Sequence, residues 1–356
     1  MVHPYLAKLA EADISRSSKK AYIGNLQTLC RDTGFTLEQV VEHPKTVYKY
    51  LRKTYPNIST RRSFIVAVRT LFRHVPGLER THPTAAELWG KFLSRDADKV
   101  TEQLMSGEPT ERQRENWVRW ADVVAKEREL AATAFGSVDH LLLAMFVLIE
   151  PARQDYGAVA LFTDREPSDP SKGNYIILSS STLVLNQYKT AKVYKTYSRV
   201  LPDELMRIIH ESLRQNPRKF LFVQDNGEPY RRRNSFTKFS NRVLERIFGR
   251  NFTVSMIRHS FISEGIDFNK SPPGQLFDIA KNMHHSVAMQ QLYRRHVDSD
   301  VPPPPPTSYT VQMVDTPHVP EAPPIPAKSK PLKTIKTSKT HAAVAFKEQD
   351  YIEIPI

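Results

Sequence analysis

At 356 residues the chain is long enough for two domains, each with its own core. A hydrophobic content of 40% is ordinary for a water-exposed fold. The 51 Lys and Arg against 38 Asp and Glu leave a net charge of +13, which points to a polyanionic partner, nucleic acid before membrane. The longest apolar run, Leu141 to Ile149, is far shorter than the roughly 20 residues that span a bilayer, so no membrane partner is expected. Met1 to Lys8 lacks a charged start followed by an apolar stretch, and the single cysteine, Cys30, allows no internal disulfide. The expected setting is therefore intracellular and non-secreted: nucleus or cytoplasm of a host cell, or a virion.

The first hundred residues read as all helix. Ser15, Ser17 and Ser18 offer N-caps, Tyr22, Leu26 and Leu29 follow at helical spacing, and Gly34 stops the segment. Cys30 falls at this spacing and is expected as a buried helix residue. Further helices are expected from about Leu37 to Val41, from Val47 to Tyr55 and from Ser59-Thr60 onward. The last carries Phe64, Ile65, Val68, Leu71 and Phe72 on one side and Arg61, Arg62, Arg69 and Arg73 on the others. Those arginines fit either a solvated face or a clamp on a DNA backbone.

Thr101 to Glu115 is polar, with Gly107 and Pro109 as breakers, which places a boundary near residue 108. Trp117 and Trp120 open the next helix, and Ser137 to Ile149 reads as a central core helix. Beyond Pro151 the period shortens. Tyr175 to Leu178, Thr182 to Leu185 and Tyr197 to Leu201 read as strands, with Lys189 in or beside the turn joining the last two. Pro202 opens a helix, Asn226-Gly227 is a turn, and Ser235 to Phe248 is a basic amphipathic helix. Val254 to His296 can be helical apart from the Ser271-Pro272-Pro273-Gly274 break. The expected fold is mainly α with a small antiparallel sheet: a helical DNA-binding domain, 1–108, and an α+β catalytic domain, 109–299.

From residue 300 the composition changes to proline runs and scattered lysines, which reads as a disordered, partly polyproline tail, 300–356. Its end, Asp350-Tyr351-Ile352-Glu353-Ile354-Pro355-Ile356, alternates as a strand does and could add to the sheet edge of a protein partner.

Four segments carry chemistry-bearing residues: Arg153 in Glu150-Pro151-Ala152-Arg153-Gln154-Asp155-Tyr156, Lys189 in Tyr188-Lys189-Thr190, Ser255-Met256-Ile257-Arg258-His259, and His284-His285-Ser286 leading to Tyr293. Arginine holds a phosphate through its planar, always-charged fork, and a tyrosine can attack phosphorus and stay bonded to it. In order and rough spacing these segments resemble the boxes of the tyrosine recombinase (phage-integrase) family, over about residues 1–300. Their wording is most similar to recombinases of large DNA viruses and eukaryotic mobile elements.

The resemblance implies a site-specific recombinase or integrase that cuts and rejoins double-stranded DNA through a 3′-phosphotyrosyl intermediate. Tyr293 would be the nucleophile, Arg153 and Arg258 the phosphate clamp, Lys189 the general acid, and His285 a further donor. It also implies self-association into a tetramer on two DNA sites, with no cofactor and no metal. Two departures stand out. Ser255 occupies the place of the family's first histidine in His-x-x-Arg, and Tyr156 replaces the acidic residue three after the first arginine, with Asp155 one place earlier. Asp155, Ser255, His259 and His284 are therefore supporting candidates. A nicking-closing enzyme like type IB topoisomerases, and a DNA-binding protein of the same fold with weakened catalysis, are the alternatives. A structural protein using its basic tail would account for residues 301–356 alone.

Overall fold

The computed structural model describes residues 3–153 and 155–297, and these form two compact units, 3–96 and 97–297. The tail at 300–356 lies outside the described residues.

The first unit is all helix: α1 (Pro4–Glu11), α2 (Arg16–Thr33), α3 (Leu37–Glu42), α4 (Pro44–Thr54), α5 (Ile58–His74), α6 (Leu78–Thr81) and the start of α7 (Pro83–Met105). Local signals set the ends. The Ser15 hydroxyl accepts the Ser18 N–H at 3.1 Å, and Gly34 closes α2 at φ 71°, a left-handed turn that glycine makes without steric cost. Thr36 and Gln39 bond reciprocally at the head of α3, and Asn57 caps α5. The core is built from Leu26 and Leu29 of α2 with Ile65, Val68 and Leu71 of α5, closed over by Trp89 of α7. Cys30 is half-buried at the edge of this core rather than inside it, and burial raises its thiol pKa.

Arg61, expected on a solvated or DNA-clamping side of α5, is instead buried. It is 6% exposed, and its guanidinium is taken up by Asp96, with Nε–Oδ2 at 2.7 Å and Nη2–Oδ1 at 3.3 Å; the Tyr48 hydroxyl donates to the same carboxylate at 2.8 Å. Breaking a buried pair leaves an uncompensated charge, so Asp96→Ala is expected to cost about 3–5 kcal/mol in urea unfolding. A loss below about 1 kcal/mol would contradict that account. Arg62, Arg69 and Arg73 follow one another at helical spacing along a different stripe of α5, a quarter-turn from Arg61. Arg69 donates to the Ala86 carbonyl at 2.9 Å and lies over the Phe72 ring, while Arg73 is exposed.

The second unit contains α8 (Glu111–Glu115), α9 (Trp120–Thr133), α10 (Val138–Val147), β1 (Val159–Phe162), β2 (Asn174–Ile177), β3 (Thr182–Leu185), α11 (Ala191–Tyr194), β4 (Tyr197–Val200), α12 (Asp203–Gln215) and α13 (Arg233–Phe248). Then come α14 (Val254–Ser260), a π-helical turn at Phe261–Gly265, α15 (Pro273–Asn282) and α16 (Val287–Tyr293). Ser137 caps α10, and every residue from His140 to Val147 is buried, so this helix is the hub of the unit. The mainly helical architecture with one small sheet agrees with the sequence; the sheet itself differs in one respect. It has four strands in the order β1-β2-β3-β4, and although β2, β3 and β4 are antiparallel, β1 runs parallel to β2. The sheet is therefore mixed. β1 was not anticipated: it is only four residues long, and Ala160 within it favours strands poorly. It is held because Leu161 N–H donates to Lys219 O at 2.9 Å and Leu221 N–H to Val159 O at 2.8 Å, closing its outer edge.

Candidate active site

The segment after α10 carries Arg153 and Asp155, the turn after β3 carries Lys189, α14 carries Arg258 and His259, and the turn between α15 and α16 carries His284 and His285. Arg258 ties three of these together. It is 2% exposed, and its Nη1 donates to the Pro151 carbonyl at 2.7 Å and to the Met283 carbonyl at 3.3 Å. One guanidinium thus fixes the segment before Arg153 and the residue before His284 against α14. Its Nε and Nη2 make no hydrogen bond within the protein, and its carbon lies 5.1 Å from the centre of the Tyr293 ring.

Tyr293, the last residue of α16, is 6% exposed. Its ring tilts against His259 at 4.7 Å and meets the edge of His285 at 5.6 Å. Burial alone would push the phenol pKa up, but Arg258 and Arg153 outweigh it, and the net displacement is downward. Two cations far apart in the chain therefore converge on one hydroxyl. The Tyr293 carbonyl lies 2.6 Å from His259 Nδ1; a carbonyl only accepts, so Nδ1 carries the proton of this neutral ring.

The three histidines are held neutral. Burial, with the Arg295 charge next in size, pulls His259 down to about 3. Burial with Arg258 and Arg153 pulls His284 to about 3 and His285 to about 2. All four ring nitrogens of His284 and His285 are without a hydrogen bond. His284 has φ 58°, a left-handed backbone that non-glycine residues adopt at some cost, and its ring sits between Tyr188 at 4.6 Å and Tyr197 at 4.5 Å.

Asp155 belongs to the same place. Burial raises its carboxyl pKa against the pull of Arg233, Arg153 and Arg258, and its carboxylate takes the main-chain N–H of Lys189. Lys189 is half-buried, whereas Lys192 in α11 and Lys195 just after it are exposed. Seven of the sequence candidates, Arg153, Asp155, Arg258, His259, His284, His285 and Tyr293, thus share one region, with the main chain of Lys189 at its side. Ser255 stands exposed on the first turn of α14, outside this buried set.

Several members could not be foreseen. Arg199 Nη1 meets Glu150 Oε2 at 2.6 Å, and Asn282 Nδ2 donates to Glu150 Oε1 at 3.0 Å, so this carboxylate braces β4 against the end of α15. Tyr188 and Tyr197 read in sequence as strand-region aromatics. Tyr188 stands beside Lys189 and Glu150 three places before Arg153, and that proximity was the only signal in the sequence.

Chemically, the set offers two guanidinium groups around a phenol whose ionised form they favour, with neutral imidazoles able to give or take a single hydrogen bond each. That is a site for holding an oxyanion beside an oxygen nucleophile. Among the described residues no group of three or more His, Cys, Asp or Glu could hold a metal ion, and no helix is long and apolar enough to cross a membrane.

No family model matches the chain, and no curated protein matches it. Among solved structures it is similar to the crystal structure of XerA recombinase, at 14% identity, covering 83% of this chain and 94% of that one, with a TM-score of 0.37.

Proposed function

We propose that the chain is a DNA strand-transferase of the tyrosine recombinase kind, acting on double-stranded DNA without a cofactor. The observation that carries this is the Arg258 guanidinium, its carbon 5.1 Å from the centre of the Tyr293 ring, with Arg258 and Arg153 together drawing the phenol pKa down. As its proton passes to solvent water, Tyr293 Oη attacks the scissile phosphorus, forming the 3′-phosphotyrosyl bond as the bond to the 5′ oxygen breaks. Arg153 and Arg258 hold the non-bridging oxygens, and the Nε and Nη2 of Arg258 are the donors that the protein leaves unbonded. Lys189 gives its proton to the departing 5′ oxygen, and His285 adds a neutral donor. A free 5′ hydroxyl of the same or another strand then reverses the step, so the phosphodiester energy is kept. Recombination between two sites implies a tetramer on DNA, with Arg62, Arg69 and Arg73 as backbone contacts in the helical unit.

A second reading, a DNA-binding protein of weakened turnover, is favoured by one observation: Ser255 is exposed outside the buried set and cannot move a proton near neutral pH. One experiment separates the two. The protein is incubated with nicked duplexes of randomised sequence, denatured in detergent, and protein-linked DNA is recovered, sequenced and mapped by mass spectrometry. The strand-transferase gives a denaturant-resistant adduct on the peptide holding Tyr293. Tight binding with no adduct would establish the weakened reading, and an adduct persisting in Tyr293→Phe would move the nucleophile elsewhere.

A further inference from the structure

We propose that His284 is a positioning residue that docks the Lys189 turn onto the site, through its ring against Tyr188 and its carbonyl against Thr190. This deepens the function proposed above and rests on it. The two residues flanking Lys189 both end on His284. The Tyr188 ring lies 4.6 Å from the imidazole, and the Thr190 hydroxyl donates to the His284 carbonyl at 3.1 Å. On the far side of the turn the Tyr188 hydroxyl donates to the Lys195 carbonyl at 2.6 Å, and the Lys189 main-chain N–H reaches Asp155. The turn is thus pinned on both flanks, and His284 supplies one of them.

Its backbone sits at φ 58°, a conformation glycine adopts freely and a histidine does not. This is the left-handed close of α15, where the His285 N–H takes the Ala280 carbonyl at 3.1 Å, and the imidazole it carries packs on two rings, Tyr188 and Tyr197. Tyr197 is itself held, its hydroxyl donating to Asn282 Oδ1 at 3.2 Å, two residues before His284. The next residue, His285, meets the Tyr293 ring edge-on. Contacts therefore run without a break from the flanks of the acid, through His284 and His285, to the nucleophile. The ring nitrogens of His284 make no hydrogen bond in the protein, so the ring acts here by shape and stacking.

The test uses the duplex recovered with the adduct and a copy whose scissile 5′ oxygen is replaced by sulfur, which leaves as a thiolate and needs no acid. His284→Gly relieves the backbone and removes the ring. It is expected to slow single-turnover cleavage of the ordinary duplex about 10²-fold, as loss of placement does, and to cleave the sulfur duplex at the wild-type rate. On a Lys189→Ala background it should add no more than about twofold, since the two act as one unit. Thr190→Val, which keeps the ring, should show the same substrate dependence to a smaller degree, and carries the comparison if His284→Gly does not fold. Wild-type cleavage of the ordinary duplex by both variants would overturn the proposal. So would an equal defect on both duplexes, which would assign His284 to the phosphate clamp or to Tyr293. A wild-type protein that forms no adduct would instead sink the strand-transferase reading itself.

Discussion

Arg258→Met is expected to slow strand cleavage by about 10³-fold while moving the unfolding free energy by less than about 2 kcal/mol. The two effects separate because Arg258 is a poor stabiliser and a strong candidate for catalysis. It is fully buried, burial lowers its pKa, and the carboxylate nearest in effect, Asp155, is itself pushed toward its neutral form. Replacing a buried, incompletely paired charge by an apolar side chain of similar length gains roughly 1–4 kcal/mol. Against this, the Pro151 and Met283 carbonyls lose their donor, at about 1–3 kcal/mol each. The terms nearly cancel. Cleavage has no such cancellation, because methionine can hold no phosphate oxygen. Arg258→Lys keeps the charge and can reach one carbonyl, but an ammonium lacks the fork, and a loss of about 10²-fold is expected. Single-turnover adduct formation read beside urea unfolding decides the matter. Cleavage by Arg258→Met within about tenfold of wild type would mean that this guanidinium does not meet the phosphate.

Acidification is expected to unfold the second unit abruptly. His259, His284 and His285 have folded pKa values of about 3, 3 and 2 against an ordinary value of 6.5. Below 6.5 the unfolded chain takes up protons that the folded chain refuses. Stability is therefore complete above that pH and declines as pH falls toward 3. Each group contributes a slope of about 1.4 kcal/mol per pH unit, so three together approach about 4 kcal/mol per unit. One pH unit then removes a large part of a typical domain's 5–15 kcal/mol. Asp155 works the other way. Its raised carboxyl pKa favours the folded state at low pH and loses that contribution as pH rises through the folded value, so it softens the acid end of the curve. Urea midpoints measured between pH 7.5 and about 5 should fall steeply, and His284→Asn should flatten the slope by about a third. Midpoints that do not change over this range would refute the account.

Much of the candidate site was legible because its members are separated in sequence by recognisable surroundings: an arginine after a wholly apolar helix, an Arg-His pair on a short helix, a His-Ser step one helix before a tyrosine. Helix ends were legible for a similar reason, since Ser15, Gly34 and Ser137 act on residues three or four places away. What could not be read depends on partners far along the chain. Arg61 looks like any basic helix residue until Asp96, thirty-five places on, is found beside it. The parallel pairing of β1 is decided by where residues 163–173 return the chain, and nothing in Val159–Phe162 announces it. The left-handed backbone of His284 closes α15, with the His285 N–H on the Ala280 carbonyl at 3.1 Å, but the rings that pack on its imidazole come from about ninety places earlier in the chain.

The three tryptophans divide unevenly between the two units, and that gives the protein built-in reporters. Trp89 donates its indole N–H to Val41 at 3.1 Å inside the helical unit, whereas Trp117 and Trp120 both bond Glu264, on the widened turn that continues the Arg258 helix. With the first changed to phenylalanine, emission would follow only the second unit as denaturant rises; with the other two changed, only the helical unit. Damage inflicted by Asp96→Ala and by acid could then be watched melting one half at a time, in a single cuvette and without labels.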